Sequence, residues 1–243
     1  MPLNNRFSII IPTYNEKENL ITLLPVLKNL YPASNIFIVD DNSQDKTSDF
    51  IKKFSRKNKN VHLLQRHSKL GRGSAVIDGL KKALIIGKTD YYLEMDADFS
   101  HVPGEIKRLL VKKDPHTLVI GSRYIPGART VNWPHWRQIL SILANFYIRT
   151  ILKIPLHDFT NGFRLYPKYA AEIIVMTNPA EKGYTTLSET AYILFLNGFK
   201  FVEVPTTFVN RKLGKTKISL KEYLQSLTSI IRIKQNYYGS KML

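Results

Sequence analysis

The sequence contains no cysteine, and its acidic residues are few compared with its basic ones. Without cysteine the chain cannot form disulfides, a zinc knuckle or a thiol nucleophile, and a reducing compartment is favoured. The 243 residues include 36 Lys and Arg against 19 Asp and Glu, which gives a formal net charge of +17. A surplus of this size predicts anionic partners. With 44% hydrophobic and 23% charged residues, the composition is that of a folded globular protein.

Long apolar runs and phosphate-binding glycine loops are also missing. No stretch of about 18 apolar residues occurs, and the apolar stretch after Arg6 is too short for a signal peptide. A soluble or membrane-peripheral protein without a span is therefore expected. Neither the pattern Gly-x-Gly-x-x-Gly after the first strand nor the Walker pattern with its Lys is present. Their absence disfavours a nicotinamide dehydrogenase and a P-loop ATPase.

Short β-branched runs alternate with amphipathic segments in the first half, which is typical of a parallel sheet covered by helices on both faces. The predicted strands cover residues 7–11, 35–40, 61–65, 91–95 and 117–121, with helices over 16–29, 45–54, 73–86 and 103–112. The second half predicts helices over 138–152, 167–176, 188–197 and 219–235, and strands over 200–204 and 206–209. Without repeats or long linkers, residues 1–243 are predicted to form one domain, and residues 211–243, a basic loop and an amphipathic helix, its extension.

Acidic side chains follow two of the predicted strands. Asp40 and Asp41 end the second strand, and Asp96 and Asp98 follow the fourth. Ligands of open parallel sheets bind beyond the carboxyl ends of the strands, where the first pair can accept hydrogen bonds from a nucleotide's base or ribose. The second pair either holds Mg²⁺ or Mn²⁺ together with substrate phosphates or serves as turn and helix-cap carboxylates. The residues alone leave both interpretations open.

Six segments, in order along the chain, resemble one known family. They are residues 10–16 (IIPTYNE), 39–43 (VDDNS), 95–101 (MDADFSH), 121–124 (GSRY), 132–134 (NWP) with Arg137, and 211–217. Together they resemble the family 2 inverting glycosyltransferases of GT-A fold, specifically the dolichol-phosphate (polyprenol-phosphate) mannosyltransferases. The resemblance covers nearly the whole chain and implies a single α/β domain with a mostly parallel central sheet flanked by helices. Residues 160–165 (TNGFRL) also resemble the family, although Asn161 stands where a small hydroxyl residue is usual.

The resemblance implies a role for each matching residue. The nucleotide-sugar pocket would contain Pro12, Tyr14, Glu16, Val39, Asp41, Asp96, Ala97, Asp98, Arg211 and Lys217. The metal, Mg²⁺ or Mn²⁺, would be held mainly by Asp98, and Ser100 stands where some relatives have Gln at the metal site. The acceptor phosphate would be bound by Arg123, Arg137 and Ser141. Catalysis would rest on Asp98, Arg123, Arg211 and Lys217, because metal and cations stabilise the negative charge on a departing nucleoside diphosphate.

The activity implied by the resemblance is transfer of mannose from GDP-mannose to a polyprenyl (dolichyl) phosphate with inversion. The implied location is the cytoplasmic face of a membrane, bound peripherally and without a transmembrane segment, which leaves room for a small membrane-anchoring subunit. One alternative is a transferase that uses UDP-glucose or another UDP-sugar on the same type of lipid phosphate. Another is a nucleic-acid-binding module, which the positive charge permits but the acidic strand ends disfavour. We therefore expect no nucleic-acid partner.

Two predicted amphipathic helices, residues 138–152 and 219–235, bear on contact with a membrane. Each has apolar residues at helical spacing with Lys and Arg nearby. Packing against the core and an in-plane contact with a membrane surface both fit this pattern.

Overall fold

A computed structural model describes residues 7–210 and 220–237. The strands are β1 (Ser8–Thr13), β2 (Asn35–Asp40), β3 (Val61–Gln65), β4 (Tyr91–Glu94), β5 (Thr117–Ser122), β6 (Arg129–Val131), β7 (Arg164–Pro167), β8 (Lys200–Pro205) and β9 (Thr207–Val209). The helices are α1 (Lys17–Leu30), α2 (Thr47–Lys57), α3 (Arg72–Ile86), α4 (Ile106–Val111), α5 (His135–Leu152), α6 (Lys168–Thr177), α7 (Thr186–Leu196) and α8 (Leu220–Asn236). A short 3₁₀ helix, Pro103–Glu105, precedes α4.

Seven strands form one sheet in the order β3-β2-β1-β4-β7-β5-β8, and β6 pairs with β9 in a separate two-stranded sheet. Within the large sheet β7 runs antiparallel to both neighbours, and the other pairs are parallel. The predicted α/β class with a mostly parallel sheet is confirmed.

Alternating residues of β1 face the two sides of the sheet, as the pleat of a strand requires. Ile10 packs with Phe37 and Val39 in one buried cluster, which α3 covers. Ile9 and Ile11 belong to a second cluster, which α1 covers on the opposite face. Helix α3 lies so close to the sheet that a Cβ on Gly79 would come within 2.5 Å of Ile10. Burial on both faces explains why the strands appear in the sequence as continuous apolar runs.

The strands and helices predicted from the sequence are present, with ends that shift by a few residues. Strands β6 and β7 were not predicted. Strand β7 reads Arg-Leu-Tyr-Pro, which lacks the β-branched run that marks β1, β2 and β5. Its first residue, Arg164, is completely buried and donates to the carbonyls of Phe159, Asn161 and Leu187 at 2.6–3.0 Å. Strand β7 pairs with β4 and β5, so it depends on strands distant in sequence rather than on its own sequence pattern.

Helix α8 returns to the body of the protein and packs against α5 and α7. Its side chains Ile230 and Ile233 are buried, and the Tyr147 hydroxyl on α5 donates to the carbonyl of Leu227 at 3.1 Å. The last part of α8 is therefore a core-packing helix. No helix in the described ranges combines the length and the apolar character needed to cross a bilayer.

Candidate active site

The carboxyl ends of β1, β2 and β4 lie side by side, because β1 pairs in parallel with both of the other strands. Four carboxylates, Asp40, Asp41, Asp96 and Asp98, follow or end these strands, and we call them the carboxylate edge. The backbone N–H of Asp41 donates to the carbonyl of Thr13 at 2.9 Å, which ties the end of β2 to the end of β1. The topology thus brings together groups that are more than fifty residues apart in sequence.

Asp40 is an internal anchor of this edge. It is completely buried and accepts hydrogen bonds from the hydroxyls of Ser43, Ser48 and Thr13. These three hydroxyl donors satisfy the buried carboxylate, which fixes the loop after β2. Asp40 therefore orders the backbone around Asp41.

Asp41, which was predicted to bind the nucleotide, is held by a second network. Its carboxylate accepts from Arg66 Nη1 at 2.9 Å and from the backbone N–H groups of Leu70 and Gly71 at 2.9–3.1 Å. Arg66 also donates to the Ser74 hydroxyl at 2.7 Å, and its Nε lies 3.2 Å from Asp78 Oδ2. The side chains of Asp41 and Arg66 are each 6% exposed. The contact of Asp41 with a nucleotide stays a prediction.

Tyr14 is the exposed aromatic residue beside this network. Lys69 lies over its ring, with Nζ 4.1 Å from the ring centre. A ring that carries a cation on one face and is partly open to solvent can stack on a nucleobase. This position suits the predicted role of Tyr14 in a nucleotide pocket.

The Asp96–Asp98 segment is tightly turned. Phe99 has a φ of 60°, a left-handed conformation that is uncommon for a bulky residue. The turn lets the N–H of Ser100 donate to Asp98 Oδ1 at 3.0 Å. Strain of this kind collects at functional sites, where it aims a side chain that the local sequence alone would not aim. Asp98 and Ser100 are both largely buried.

Arg72, at the start of α3, contacts two carboxylates. Its Nε and Nη2 donate to Asp96 Oδ1 at 3.0 and 2.7 Å, and its Nη1 donates to Glu94 Oε1 at 2.5 Å. Glu94 is completely buried and also accepts from the Tyr166 hydroxyl at 2.8 Å. Burial by itself lowers the pKa of Arg72, but the charges of Asp96 and Glu94 outweigh it and the pKa is raised. The guanidinium therefore stays charged beneath the carboxylate edge.

His101 supports the same segment from the other side. Its Nδ1 accepts the backbone N–H of Asp96 at 3.0 Å, so the neutral ring carries its proton on Nε2 and donates it to Asn161 Oδ1 at 2.6 Å. Asn161 Nδ2 in turn donates to the carbonyl of Gly121 at 2.5 Å. Asn161, which stands where a small hydroxyl residue is usual in the family that the sequence resembles, therefore serves as the hydrogen-bond partner of His101.

Arg123, predicted to bind the acceptor phosphate, forms a buried ion pair with Asp158. Its Nε and Nη2 donate to the two carboxylate oxygens at 2.8 and 2.7 Å, and Nη2 also donates to the Thr160 hydroxyl at 2.6 Å. Burial opposes both charges, but the pair outweighs it: the pKa of Asp158 is lowered and that of Arg123 is raised. The rings of Tyr124, Trp133 and Phe208 each lie 5.2 Å from the guanidinium. Most of the hydrogen-bonding capacity of the Arg123 guanidinium is therefore used within the protein.

The other two predicted acceptor residues lie on α5. Ser141 accepts a hydrogen bond from the hydroxyl of Tyr124, the residue after Arg123, at 2.6 Å. Arg137 lies one helical turn before Ser141 and is partly exposed. The first two-thirds of α5 turn a row of apolar side chains to solvent: Trp136, Ile139, Leu140, Ile142, Leu143 and Phe146, which we call the exposed face of α5. Ile148 and Leu152 near the helix end are buried. The start of α5 therefore does not use its apolar residues for the core.

Strand β9 connects the two groups of residues. The N–H of Val209 donates to the carbonyl of Ser100 at 3.2 Å, while Phe208 packs against Trp133 with ring centres 5.2 Å apart. Burial lowers the pKa of Arg123, but Asp158, then Tyr124 and then Asp96 raise it. The carboxylate edge and the Arg123 region are therefore parts of one site.

The remaining predicted pocket residues differ in accessibility. Pro12 and Glu16 are partly exposed at the end of β1, and Glu16 accepts from the Asn19 amide at 2.5 Å. Ala97 is largely buried, and Val39 is fully buried against α3. Arg211 and Lys217, predicted for the donor diphosphate, lie outside the described residues.

Sequence reasoning missed Arg66, Arg72 and Asp158. Gly71-Arg72-Gly73 is visible as a helix start, but nothing local indicates that Arg72 meets carboxylates more than twenty residues later. Asp158 precedes the TNGFRL segment that resembles the family, and this proximity was the one signal available for it.

Comparison with solved structures identifies the class of fold. Glucosyl-3-phosphoglycerate synthase from Mycobacterium tuberculosis, crystallised with Mn²⁺, uridine diphosphate and phosphoglyceric acid, superimposes with a TM-score of 0.64 at 13% sequence identity. The match covers 97% of this chain and 79% of that one. The superposition shows that this chain has the GT-A fold.

Sequence comparison narrows the class to a family. Residues 8–174 match the model of glycosyl transferase family 2. A polyprenol monophosphomannose synthase from Mycolicibacterium smegmatis is 40% identical over 216 residues, which cover 88% of this chain and 81% of the relative. An undecaprenyl-phosphate mannosyltransferase from Micrococcus luteus is 40% identical over 214 residues, covering 88% of each. The chain belongs to glycosyl transferase family 2, and the predicted family resemblance is confirmed.

Proposed function

We propose that the protein transfers mannose from GDP-mannose to a polyprenyl (dolichyl) phosphate, with inversion at the anomeric carbon. The observation that carries the proposal is the 40% identity, over 88% of the chain, to a polyprenol monophosphomannose synthase and to an undecaprenyl-phosphate mannosyltransferase. The geometry supports the proposal, because β9 bonds to Ser100 beside the carboxylate edge while its Phe208 packs against the Arg123 guanidinium, so that the two regions are neighbours.

The residues at the carboxylate edge fit a divalent metal, Mg²⁺ or Mn²⁺. In the described part of the chain, no group of three or more Asp, Glu, His or Cys side chains is placed to hold an ion on its own. Asp98 instead matches the way Mg²⁺ is bound by one or two carboxylates together with substrate phosphates. Asp98 would be the principal ligand, with Ser100 beside it. The bound metal would supply charge neutralisation for the departing nucleoside diphosphate.

The chain's own residues have separate tasks in this proposal. Tyr14 stacks on the nucleobase and Asp41 accepts its hydrogen bonds, with Pro12, Glu16, Val39 and Ala97 completing the pocket. Asp96 holds the ribose. Arg211 and Lys217, from the segment after β9, stabilise the diphosphate as its charge grows.

On the acceptor side, Arg137 and Ser141 bind the phosphate, and Arg123, oriented by Asp158, adds positive charge. A phosphate monoester is largely ionised near neutral pH and attacks the anomeric carbon without a general base. One in-line displacement inverts that carbon.

The exposed face of α5 supports peripheral binding to a membrane, where a polyprenyl acceptor would reside. Trp136 and Phe146 are 63% and 69% exposed, which is unusual for such large apolar side chains when they are contiguous on one helix. Arg137 lies on the same helix and Arg149 near its end, and basic groups are attracted to anionic lipid by about 1 kcal/mol each. Since the cytoplasmic leaflet carries the anionic lipids, the proposal places the protein at that face. We also propose that residues 1–243 form a single domain, with residues 211–243 as its extension. The same proposal includes a small membrane-anchoring subunit.

The test is transfer of radiolabel to a short polyprenyl phosphate in detergent, from GDP-mannose and from UDP-glucose in parallel. Each donor is assayed with Mg²⁺, with Mn²⁺ and with a chelator, and the unphosphorylated polyprenol serves as the acceptor control. We expect chelator-sensitive labelling from GDP-mannose that requires the acceptor phosphate. Arg137→Ala should raise the KM for acceptor roughly tenfold at saturating donor, whereas Arg149→Ala on the same helix should leave it unchanged because the detergent assay contains no anionic lipid.

The outcomes separate the alternatives. Labelling from UDP-glucose alone would keep the mechanism and replace the sugar. No transfer from either donor, with intact folded protein, would overturn the proposed reaction. Steep salt-dependent binding to DNA without any turnover would favour the nucleic-acid module instead.

A further inference from the structure

Arg72 reaches the carboxylate edge from beneath, at the end of β4. Both of its contacts with Asp96 fall on the same oxygen, Oδ1, through Nε and Nη2. The Arg72 side chain is 14% exposed, while that of Asp96 is 29% exposed. The guanidinium therefore lies behind the carboxylate, and the carboxylate keeps a surface on the solvent side where a nucleotide would bind.

Two further contacts fix the guanidinium itself. Glu94, completely buried on β4, accepts from Nη1, so the fork spans residues 94 and 96 of the same segment. Gly162 closes the other side, because a Cβ at this position would lie 2.0 Å from Nη2 of Arg72. The planar Arg72 guanidinium is therefore held in one orientation by the carboxylates of Glu94 and Asp96 and by the backbone of Gly162.

The backbone of Asp96 is fixed independently. His101 Nδ1 accepts its N–H, and the imidazole is held by Asn161, the residue before Gly162. Asn161 and Gly162 therefore both help to position Asp96. Asn161 holds its backbone through His101, and Gly162, which has no side chain, leaves the space for the Arg72 guanidinium that holds its carboxylate. This arrangement gives a reason for the Asn-Gly pair at the entrance to β7.

We propose that Arg72 is a positioning residue that presents the Asp96 carboxylate to the ribose hydroxyls of the nucleotide-sugar donor. The inference rests on the proposed function, in which Asp96 holds the ribose. A carboxylate that turns freely loses rotational entropy when it accepts a hydroxyl pair, whereas one fixed by Arg72 has lost that freedom already. Arg72 itself need not touch the donor.

The experiment measures the penalty for removing the ribose hydroxyls. Calorimetry gives the Kd of GDP and of 2′,3′-dideoxy-GDP, with Mg²⁺ and without acceptor, for four proteins: wild type, Glu94→Gln, the double variant Arg72→Met with Glu94→Gln, and Gly162→Ala. The double variant differs from its matched control, Glu94→Gln, only at Arg72, and it leaves no buried carboxylate unpaired at position 94. Gly162→Ala displaces the guanidinium without changing any charge, so it tests the same inference if the double variant folds poorly.

In the wild type and in Glu94→Gln, loss of the hydroxyls should weaken binding roughly tenfold or more, the usual effect of hydrogen bonds to a charged group. In the double variant and in Gly162→Ala the penalty should fall to about twofold. A penalty that stays at the wild-type level in both variants would overturn the inference, as would its absence in the wild type. Failure of the wild type to bind GDP would instead count against the proposed donor, which keeps the two failures distinguishable.

Discussion

The carboxylate edge and the exposed face of α5 solve two different recognition problems in one site. At the edge, Asp41 and Asp96 accept hydrogen bonds from arginines of distant segments, Arg66 and Arg72. On α5, large apolar side chains lie open to solvent without any polar network among them. A nucleotide sugar has many hydrogen-bonding groups in fixed positions and needs fixed partners, whereas a lipid chain presents only apolar surface. If the proposed function holds, the carboxylate edge selects its ligand by geometry and the exposed face of α5 by hydrophobicity.

The strongest test of this contrast is Asp98→Asn at the edge. Neutralising the predicted metal ligand while keeping its shape should reduce transfer about 1000-fold, because electrostatic stabilisation of the leaving diphosphate is lost. Initial rates at saturating donor and acceptor measure the effect, and circular dichroism verifies the fold. Asp49→Asn, on the exposed side of α2, is the control and should be fully active. Wild-type turnover in folded Asp98→Asn would show that the edge does not act through a metal at this residue.

A second test concerns the rigid part of the acceptor side, the buried pair Arg123–Asp158. Asp158→Asn leaves a buried guanidinium without its counter-charge and should lower the free energy of unfolding by about 3–5 kcal/mol, measured by urea denaturation at pH 7. Asp114→Asn is the exposed comparison, and it should change stability little because solvent screens that carboxylate.

The same pair predicts a pH dependence. Burial opposes ionisation of Asp158, but Arg123 outweighs it and holds the pKa of the folded protein below the ordinary value. The stabilisation is therefore complete above the unfolded pKa of about 3.9 and is lost as the pH falls through the lower folded pKa. The stability difference between wild type and Asp158→Asn should be constant from pH 7 to about pH 5 and shrink below about pH 4. A difference that persists undiminished under acid would mean that the pair stabilises by packing and not by charge.

The smallest expected effect lies on the exposed face of α5. Phe146→Ser should weaken binding to anionic phospholipid vesicles about fivefold to tenfold, because an apolar side chain that inserts into the interface is lost. Met176→Ser removes a side chain of similar exposure, 73% against 69%, on α6, and it should leave vesicle binding unchanged. Sedimentation with vesicles measures both. Equal losses in the two variants would remove the distinction between α5 and the rest of the surface.

Much of the fold could be predicted because its signals are local. The β-branched run of β1 and the apolar spacing of α3 identify these elements without their neighbours, and burial on both faces of the sheet amplifies the signal. The same holds for the acidic ends of β2 and β4, since strand ends of a parallel sheet meet at one edge. The apolar residues of α5 were visible too, but whether they face the core or solvent depends on what packs against the helix.

The sequence by itself determined the α/β class, the order of the main elements, the carboxylates at the strand ends and the family. The tertiary structure alone decided which groups meet: Arg72 with Asp96 and Glu94, Arg123 with Asp158, and β7 inserted antiparallel between β4 and β5. The physical reason is that periodicity and caps act within a few residues, whereas ion pairs and strand insertion join segments that approach only when the sheet has formed. A charged side chain carries no local mark of its future partner, and in this protein those partners orient the site.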